Sequence, residues 1–338
     1  MEHFTPHLTA LFEGYYSKFS LPSGAHIALI ICTVPNATTH PPHMVSFTYY
    51  PVTGTPIFQR EHWVPDIQRI RTGPDHAFEL RVPGLGSMSC DADSTTTYDF
   101  SCDAWTLQGM TASRTPWSPT KATPEGWLVN LPLPLHWHVH SLSSSCAFVL
   151  HIPSLHLPRS DQKGRATVHQ EKNWASSFPA SHIWIQARSS SGSGVCLAGG
   201  KILGSTAYIL GYRSPDLNID FAPPFALAIP MFRFSPFMDV DLDWESRAFS
   251  ISVAGVWRKV VLRAAAPKET GWFGLGAPFR EGHRRNFCTE SFLAGVEVEV
   301  WERGWLWGAW RKTKMERFEK ASLEFGGGYY PDRGVKRE

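Results

Sequence analysis

The fold is decided by the stretch Val296-Glu297-Val298-Glu299-Val300-Trp301-Glu302. Val296, Val298 and Val300 alternate with Glu297 and Glu299, and this period of two is typical of a β-strand that has one face in the core and one in water. An amphipathic helix would instead repeat its apolar residues every three or four positions. The stretch therefore predicts a sheet with one solvated face.

Short alternating or apolar runs of this kind recur along the whole chain, separated by clusters of Gly, Pro, Ser and Asp. They lie at residues 25–32, 44–50, 77–82, 146–152, 183–187, 207–211, 249–253 and 256–263. No long amphipathic helix with caps at both ends is present in the sequence, and 26 prolines argue against a helix bundle. These patterns predict an all-β fold. Residues 90–103, 189–194 and 311–314 are interpreted as loops.

A polar connector at residues 158–165 marks a shift in composition. We expect a domain boundary there, which gives an N-terminal β domain at residues 1–160 and a C-terminal β domain at 161–338. Two successive barrel-like halves fit this length, because barrels leave no exposed edges and can hold an apolar ligand.

Composition excludes several classes of protein. Charged residues make up 18% of the chain and aromatic residues 13%, and the formal net charge is +2, so no nucleic-acid partner is expected. The six cysteines form no CxxC pair and are interpreted as free thiols in a reducing compartment. Without a signal-like segment or an apolar run of about 20 residues, we expect a cytoplasmic protein with no membrane span. A homodimer is left open.

Generic catalytic motifs are absent from the sequence, including Walker loops, nucleophile elbows and HExxH helices. One segment instead stands out for its dense polar and aromatic content. It reads His169-Gln170-Glu171-Lys172-Asn173-Trp174-Ala175-Ser176-Ser177-Phe178-Pro179 and is followed by Ile183-Trp184-Ile185-Gln186-Ala187.

This segment resembles the signature of the tocopherol cyclase family, in which E-K-N-W, a Phe-Pro step and a W-x-Q strand follow one another. Further segments are similar to the family in the same order. They are Phe12-Glu13-Gly14-Tyr15-Tyr16, Gly126-Trp127-Leu128 with His136-Trp137, Gly199-Gly200 with Ile209-Leu210-Gly211-Tyr212, and Cys288-Thr289-Glu290-Ser291 with residues 298–303 and 321–327. The resemblance implies two lipocalin-like β-barrel or sandwich halves packed together around an apolar pocket.

The chain departs from the family pattern at Tyr15, where Trp is usual, and at 175–177, where a Gly pair is usual. A plastid transit segment is not recognisable. Because no transit segment is recognisable and the sequence begins almost directly at the F-E-G motif, the chain is expected to resemble the fungal branch more closely, whose enzymes catalyse hetero-Diels–Alder closures on tropolone and humulene-derived partners. This step is an analogy at the level of the family.

Candidate catalytic residues lie in and near the E-K-N-W segment: Glu171, His169, His138 and Lys172. On a strand, Glu171 and Asn173 would face one way and Lys172 and Trp174 the other. A carboxylate beside an amide in an aromatic pocket can hold or move a proton. The alternative is structural, with Glu171 and Lys172 as an ion pair and Trp174 in the core. Glu13 is expected in a buried salt bridge with Lys172 or Arg213.

His136, His138 and His140 alternate, so all three should face one side of a strand. An H-x-H pair can bind zinc, but no acid lies beside it in the sequence, and the resemblance implies no metal. A neutral imidazole that accepts a proton is favoured instead, with His138 the best candidate. Residues expected to bind substrate are Trp174, Trp184, Gln186, Asn173, Trp137, Phe178, Phe221 and Tyr16; each aromatic residue is otherwise a core residue.

The resulting hypothesis is a cyclase that needs no cofactor. It would join an ortho-quinone methide, derived from a polyketide, to a humulene-type terpenoid alkene and close a pyran ring. Holding the two reaction partners in one orientation would supply most of the rate enhancement. An acid could expel water from a benzylic alcohol to form the quinone methide. The alternatives are proton-initiated chroman formation on a prenylated phenol, and a terpenoid-binding protein without turnover.

Overall fold

A computed structural model of the chain describes residues 3–73, 76–176, 178–202, 204–228 and 235–331. Regular structure in these residues is almost entirely β-strand, which confirms the all-β class. The exceptions within them are a four-residue helix, α1 (Arg159–Gln162), and a 3-10 turn at Gly126–Asn130. No helix in the described part of the chain has the length and apolar character needed to cross a membrane.

The first sheet is antiparallel. Its strands are β1 (Phe12–Ser20), β2 (His26–Thr33), β3 (His43–Tyr50), β4 (Phe58–Val64), β5 (Gln68–Arg71), β6 (Phe78–Val82), β7 (Gly86–Cys90), β8 (Thr96–Ser101), β9 (Thr106–Thr115), β10 (Leu135–His151) and β11 (Lys163–Ala175). Their order in the sheet is β4-β3-β2-β1-β11-β10-β9-β8-β7-β6-β5. The last strand in sequence, β11, therefore pairs with the first, β1, and lies near the middle of the sheet.

The second sheet is also antiparallel. Its strands are β12 (Ser181–Arg188), β13 (Gly194–Ile202), β14 (Ser205–Ser214), β15 (Leu217–Phe221), β16 (Leu227–Ala228), β17 (Met238–Asp243), β18 (Ala248–Ala254), β19 (Arg258–Ala265), β20 (Phe273–Phe279), β21 (Gly282–Glu302) and β22 (Arg311–Gly327). The main order is β15-β14-β13-β12-β22-β21-β19-β18-β17, with β16 paired to β14 and β20 to β21.

The chain divides into two compact units. The first contains Met1–Phe178 and Pro278–Arg284, and the second contains Pro179–Ala277 and Arg285–Arg337. Each unit has its own hydrophobic cluster on one face of its sheet, which we call the core face. The side chains that alternate with the core residues form the opposite face. The domain division at residue 160 stays a prediction.

Two loop interpretations were wrong. Residues 90–103 include β8, whose Thr96, Tyr98 and Phe100 are buried on the core face. The basic stretch at 311–314 begins β22. This part of β22 pairs with β21, whereas β12 pairs with β22 at Ser322–Gly327 among the described residues. The beginning of β22 is polar on both sides, and such a strand cannot be distinguished from a loop by hydropathy alone.

Candidate functional site

Strand β11 sorts the E-K-N-W residues onto two faces, as its alternation predicted. Lys172 and Trp174 lie on the core face, in phase with the core residue Val168. Glu171 and Asn173 lie on the opposite face, together with His169. The same strand therefore supplies side chains to two separate environments.

On the core face, Lys172 holds a buried ion pair with Glu13 of β1. The Lys172 Nζ to Glu13 Oε1 distance is 2.6 Å, and both side chains are fully buried. Lys172 also donates to the Thr5 carbonyl (2.5 Å) and to His7 Nδ1 (2.8 Å). The expected partner of Glu13 is thus confirmed as Lys172, and Arg213 pairs instead with Asp220 at 2.6 Å. The alternative ion pair between Glu171 and Lys172 is wrong, because their side chains point to different faces.

The environment of Glu13 favours its charged form. Burial raises the pKa of Glu13, but the Lys172 ammonium and hydrogen bonds from His7 and Lys172 together outweigh burial and hold the pKa at about 2. The backbone N–H of His7 donates to Glu13 Oε1 at 2.6 Å. The imidazole of His7 stacks on Trp174, with ring centroids 4.0 Å apart. The Glu13–Lys172 pair therefore fastens the segment at residues 3–7 to the core face, which favours a structural role for Lys172 and Trp174.

The three alternating histidines also lie on the core face. His136 stacks on Trp174 with ring centroids 5.0 Å apart, and His140 stacks on Phe4 at 4.0 Å. His138 is fully buried and lies opposite Lys172 in the register of β10 and β11. His136 Nδ1 lies 2.8 Å from Glu125 Oε2, so an acid does accompany this run, from a position eleven residues earlier in the chain.

On the opposite face, His169 and Glu171 form a buried pair. The His169 Nε2 to Glu171 Oε2 distance is 3.0 Å. Tyr16 of β1 lies directly across from Glu171, and Trp137 of β10 lies across from Asn173. We call His169, Glu171, Asn173, Tyr16 and Trp137 the first cluster. It combines a proton-handling pair, an amide and two aromatic rings.

Gly14 makes room for Asn173 in the first cluster. The two residues are register partners, and a Cβ at Gly14 would lie 2.7 Å from Asn173 Oδ1. The F-E-G-Y-Y and E-K-N-W segments are therefore adjacent strands whose side chains fit each other. A larger residue at position 14 would therefore displace the Asn173 amide from its present position.

The second unit has its own polar cluster on the opposite face of its sheet. Trp184 and Gln186 of β12 lie there and are buried, as are His182 and Glu290. His182 Nε2 lies 2.5 Å from Glu324 Oε1, and Glu324 lies directly across from both Trp184 and Glu290. We call His182, Trp184, Gln186, Glu290 and Glu324 the second cluster.

One group of metal-binding side chains converges within the described residues, and it overlaps the second cluster. The ligand atoms of His182, Cys288 and Glu324 all lie within 4.8 Å of one another. An imidazole, a thiol and a carboxylate are suitable zinc ligands. His182 and Glu324 are already hydrogen-bonded to each other, however, so this geometry is that of a proton-sharing pair.

The two remaining candidates lie elsewhere. Phe178 packs in the first unit against Phe12 and Phe279, with ring centroids 5.6 and 5.9 Å apart. Phe221 is a buried residue of the second unit's core and lines a cleft of about 570 Å³ on that unit. The cleft is lined by Asn218, Ile219, Asp220, Phe221, Phe225, Gly255, Val256, Trp257, Arg258, Glu302 and Arg303.

The segments that carry the family resemblance thus gather at two places. F-E-G-Y-Y, His136-Trp137 and E-K-N-W meet on β1, β10 and β11, and Glu125 beside the G-W-L segment binds His136. The W-x-Q strand, C-T-E-S and residues 321–327 meet on β12, β21 and β22. Residues far apart in the chain are therefore neighbours within each unit.

Sequence reasoning missed Glu125, His182, Glu290 and Glu324 as members of these groups. His182 could have been found, because it precedes Trp184 and Gln186 by the strand period of two. Glu290 and Glu324 lie in segments that carry the resemblance, but only the pairing of β21 with β22 brings them together. The contact of Glu125 with His136 depends on the 3-10 turn and has no signal in the sequence.

Comparison with known proteins adds information about the fold. No protein-family model matches the sequence, and no curated protein is significantly similar to it. Kievitone hydratase from Nectria haematococca superposes with a TM-score of 0.58 at 8% identity, covering 96% of this chain and 91% of that one. A protein provisionally assigned as an AttH, from Nitrosomonas europaea, superposes with a TM-score of 0.54 at 13% sequence identity. The superposition covers 96% of this chain and 94% of that one.

The chain shares its fold with both. At such low identities the similarity establishes the fold alone, so the tocopherol cyclase resemblance continues to rest on the quoted segments.

Proposed function

We propose that the chain is a cofactor-independent cyclase of fungal secondary metabolism, similar to the tocopherol cyclase family. Its reaction is a stereoselective hetero-Diels–Alder closure between an ortho-quinone methide and a humulene-type terpenoid alkene. The observation that carries the proposal is the first cluster, in which the buried His169–Glu171 pair lies beside Asn173 and two aromatic rings. These are residues of the segments that resemble the family.

The first chemical step is the loss of water from a benzylic alcohol beside a phenol or tropolone hydroxyl. The His169–Glu171 pair donates a proton to the departing hydroxyl and takes the proton of the ring hydroxyl, so that water leaves and a neutral quinone methide forms. One of the structures that share this fold is named a hydratase, a class of enzyme that adds water to its substrate.

The second step joins the quinone methide to the alkene. One carbon–carbon bond and one carbon–oxygen bond form, no electrons are gained or lost overall, and no proton is transferred. Holding both partners in one orientation accounts for most of the rate. The Asn173 amide donates a hydrogen bond to the quinone-methide oxygen, while the Trp137 and Tyr16 rings support the planar diene.

The decisive experiment separates the two steps. The full chain is incubated with humulene-type alkene and either the benzylic alcohol precursor or a preformed quinone methide, and the stereoisomers are resolved chromatographically. We expect one stereoisomer in excess from both substrates. In E171Q, formation of product from the alcohol should fall by roughly 10²–10⁴-fold, whereas the excess from preformed quinone methide should persist.

E79Q provides a matched control, because Glu79 pairs with Arg81 at the surface of the first unit. Its rates should equal those of the wild-type chain. Racemic product from the wild-type chain with both substrates would refute the proposal. Turnover of a prenylated phenol to a chroman, abolished by E171Q, would instead assign the chain to proton-initiated cyclisation.

A further inference from the structure

The second unit exposes an unusual set of large apolar side chains between β21 and β22. Trp305 is 62% exposed, Leu306 46% and Trp307 80%. The turn between β18 and β19 adds Val256 and Trp257, which are 42% and 54% exposed. We call residues 303–310 the tryptophan loop. Adjacent exposed tryptophans of this kind mark a surface that binds something, because single-chain proteins in water seldom leave them open.

The tryptophan loop is held in place by specific contacts. The Arg303 backbone N–H donates to the Trp257 carbonyl at 3.1 Å, and Arg303 Nε donates to the Val256 carbonyl at 2.6 Å. The Arg303 guanidinium also lies 4.5 Å from the ring centroid of Trp310. A Gly308 N–H to Trp305 carbonyl bond of 2.9 Å closes the tip. The loop and the β18–β19 turn therefore form one surface, and Trp305 and Trp307 project from it.

The same surface carries an excess of positive charge. Arg258, Lys259, Arg303, Arg311 and Lys312 lie in or beside it. Three carboxylates lie in or beside the same region, and each is paired with a cation: Glu302 with Arg258 at 2.9 Å, Glu299 with Lys312 at 3.0 Å, and Asp220 of the cleft with Arg213 at 2.6 Å. Lys259 lies 4.8 Å from the ring centroid of Trp301. Cations therefore outnumber acids around the exposed indoles.

We propose that the tryptophan loop and the β18–β19 turn dock the chain reversibly on an anionic lipid bilayer. Indole rings favour the boundary between lipid headgroups and acyl chains, and lysine and arginine bind anionic headgroups while their stems stay in apolar surroundings. A second copy of the chain fits less well, because a symmetric contact would place two basic surfaces against each other. This inference does not depend on the proposed reaction.

Docking would also place the 570 Å³ cleft at the membrane. Val256, Trp257, Arg258 and Arg303 belong both to the docking surface and to the wall of the cleft. The cleft would then open toward the lipid, where apolar compounds partition.

The test is sedimentation of the full chain with vesicles. One set contains phosphatidylcholine alone and the other contains phosphatidylcholine mixed with phosphatidylserine. We expect the wild-type chain to sediment with the mixed vesicles and to be released by salt. W305A/W307A should bind at least about tenfold more weakly, because two interfacial indoles are lost. R311E should weaken binding to mixed vesicles selectively.

Matched controls are W127A, which removes another exposed tryptophan (67%) from the first unit, and K163E, which reverses an exposed charge there. Both should bind as the wild-type chain does. Wild-type protein that stays in solution, or W305A/W307A that binds with unchanged affinity, would overturn the proposal. So would concentration-dependent dimerisation without vesicles that W305A/W307A abolishes. Thermal unfolding of each variant verifies folding, and R311E tests the surface independently of the indoles.

Discussion

Lys172 Nζ lies 2.6 Å from Glu13 Oε1 in the first unit, and neither side chain is exposed to solvent. The ammonium also binds the Thr5 carbonyl and His7. A buried pair of this kind depends on both partners, because the loss of either leaves an uncompensated charge away from water. The pair joins β1, β11 and the segment at residues 3–7, so its loss should lower the stability of the whole first unit.

The first prediction concerns E13Q. This variant keeps the shape of the side chain and leaves Lys172 buried without its counter-charge. We expect the free energy of unfolding to fall by about 3–5 kcal/mol. Urea unfolding followed by circular dichroism measures the change, and E79Q, at the exposed Arg81 pair, should leave stability essentially unaltered. An E13Q curve that overlays the wild-type curve would show that the pair contributes nothing to folding.

The second prediction concerns acid sensitivity. Burial lowers the pKa of His283 to about 4 from an ordinary 6.5, against a raising contribution from the Pro41 carbonyl. Burial likewise lowers the pKa of His7, His43 and His62. Between the ordinary histidine pKa of 6.5 and the His283 pKa of about 4, the unfolded chain binds protons that the folded chain does not. Stability is therefore lost as pH falls from about 6.5 to about 4.

Glu13 extends this loss to lower pH. Its pKa is about 2 in the folded chain against 4.5 ordinarily, so its contribution, on the order of 3 kcal/mol, is complete above pH 4.5 and is lost as pH falls toward 2. The free energy of unfolding measured at successive pH values should fall in two phases, one between pH 6.5 and 4 and one between pH 4.5 and 2. H283Q should reduce the loss of stability in the first pH range, and E13Q should reduce it in the second. A wild-type stability that is constant from pH 7 to pH 4 would contradict the assignment.

The third prediction concerns Gly326. A Cβ at this position would overlap the imidazole of His182, whereas a Cβ at Gly304 meets no atom within 4 Å. G326A should displace His182 from Glu324 and lower the free energy of unfolding by about 1–3 kcal/mol. G304A, the matched control, should be neutral or slightly stabilising. The His182 imidazole resonances in an NMR titration report the displacement. Unshifted resonances in G326A would mean that the ring is not held there.

The fourth prediction concerns Gly14. A Cβ there would lie 2.7 Å from Asn173 Oδ1, and the amide would have to move. Because this side chain can rotate, stability should change little, while the stereoisomer excess of the proposed cyclisation should fall. N173A should reproduce the lower excess. If G14A keeps the wild-type excess while N173A loses it, the amide does not depend on Gly14 for its position.

The fold class and the two faces of β11 could be predicted because both follow from a period of two. Glu171 and Lys172 had to diverge once 163–175 formed a strand, and Val296, Val298 and Val300 had to face a core. The full lengths of β10 and β21 could not be predicted from the sequence, because bulges at Ser141–Ser144 and Ser291–Ala294 interrupt the pairing register. The pairing register of β21 and β22 brings Glu290 beside Glu324, and this contact could not be predicted either. The contact of Glu125 with His136 depends on a turn that has no sequence pattern.

The alternation of β11 separates two kinds of selection within one strand. Even-numbered positions, such as Lys172 and Trp174, are constrained by the interior that they hold together. Odd-numbered positions, such as His169, Glu171 and Asn173, can be exchanged without breaking the Glu13–Lys172 ion pair. New chemistry can therefore evolve here by point substitution, whereas a one-residue insertion would exchange the two sets and abolish both at once.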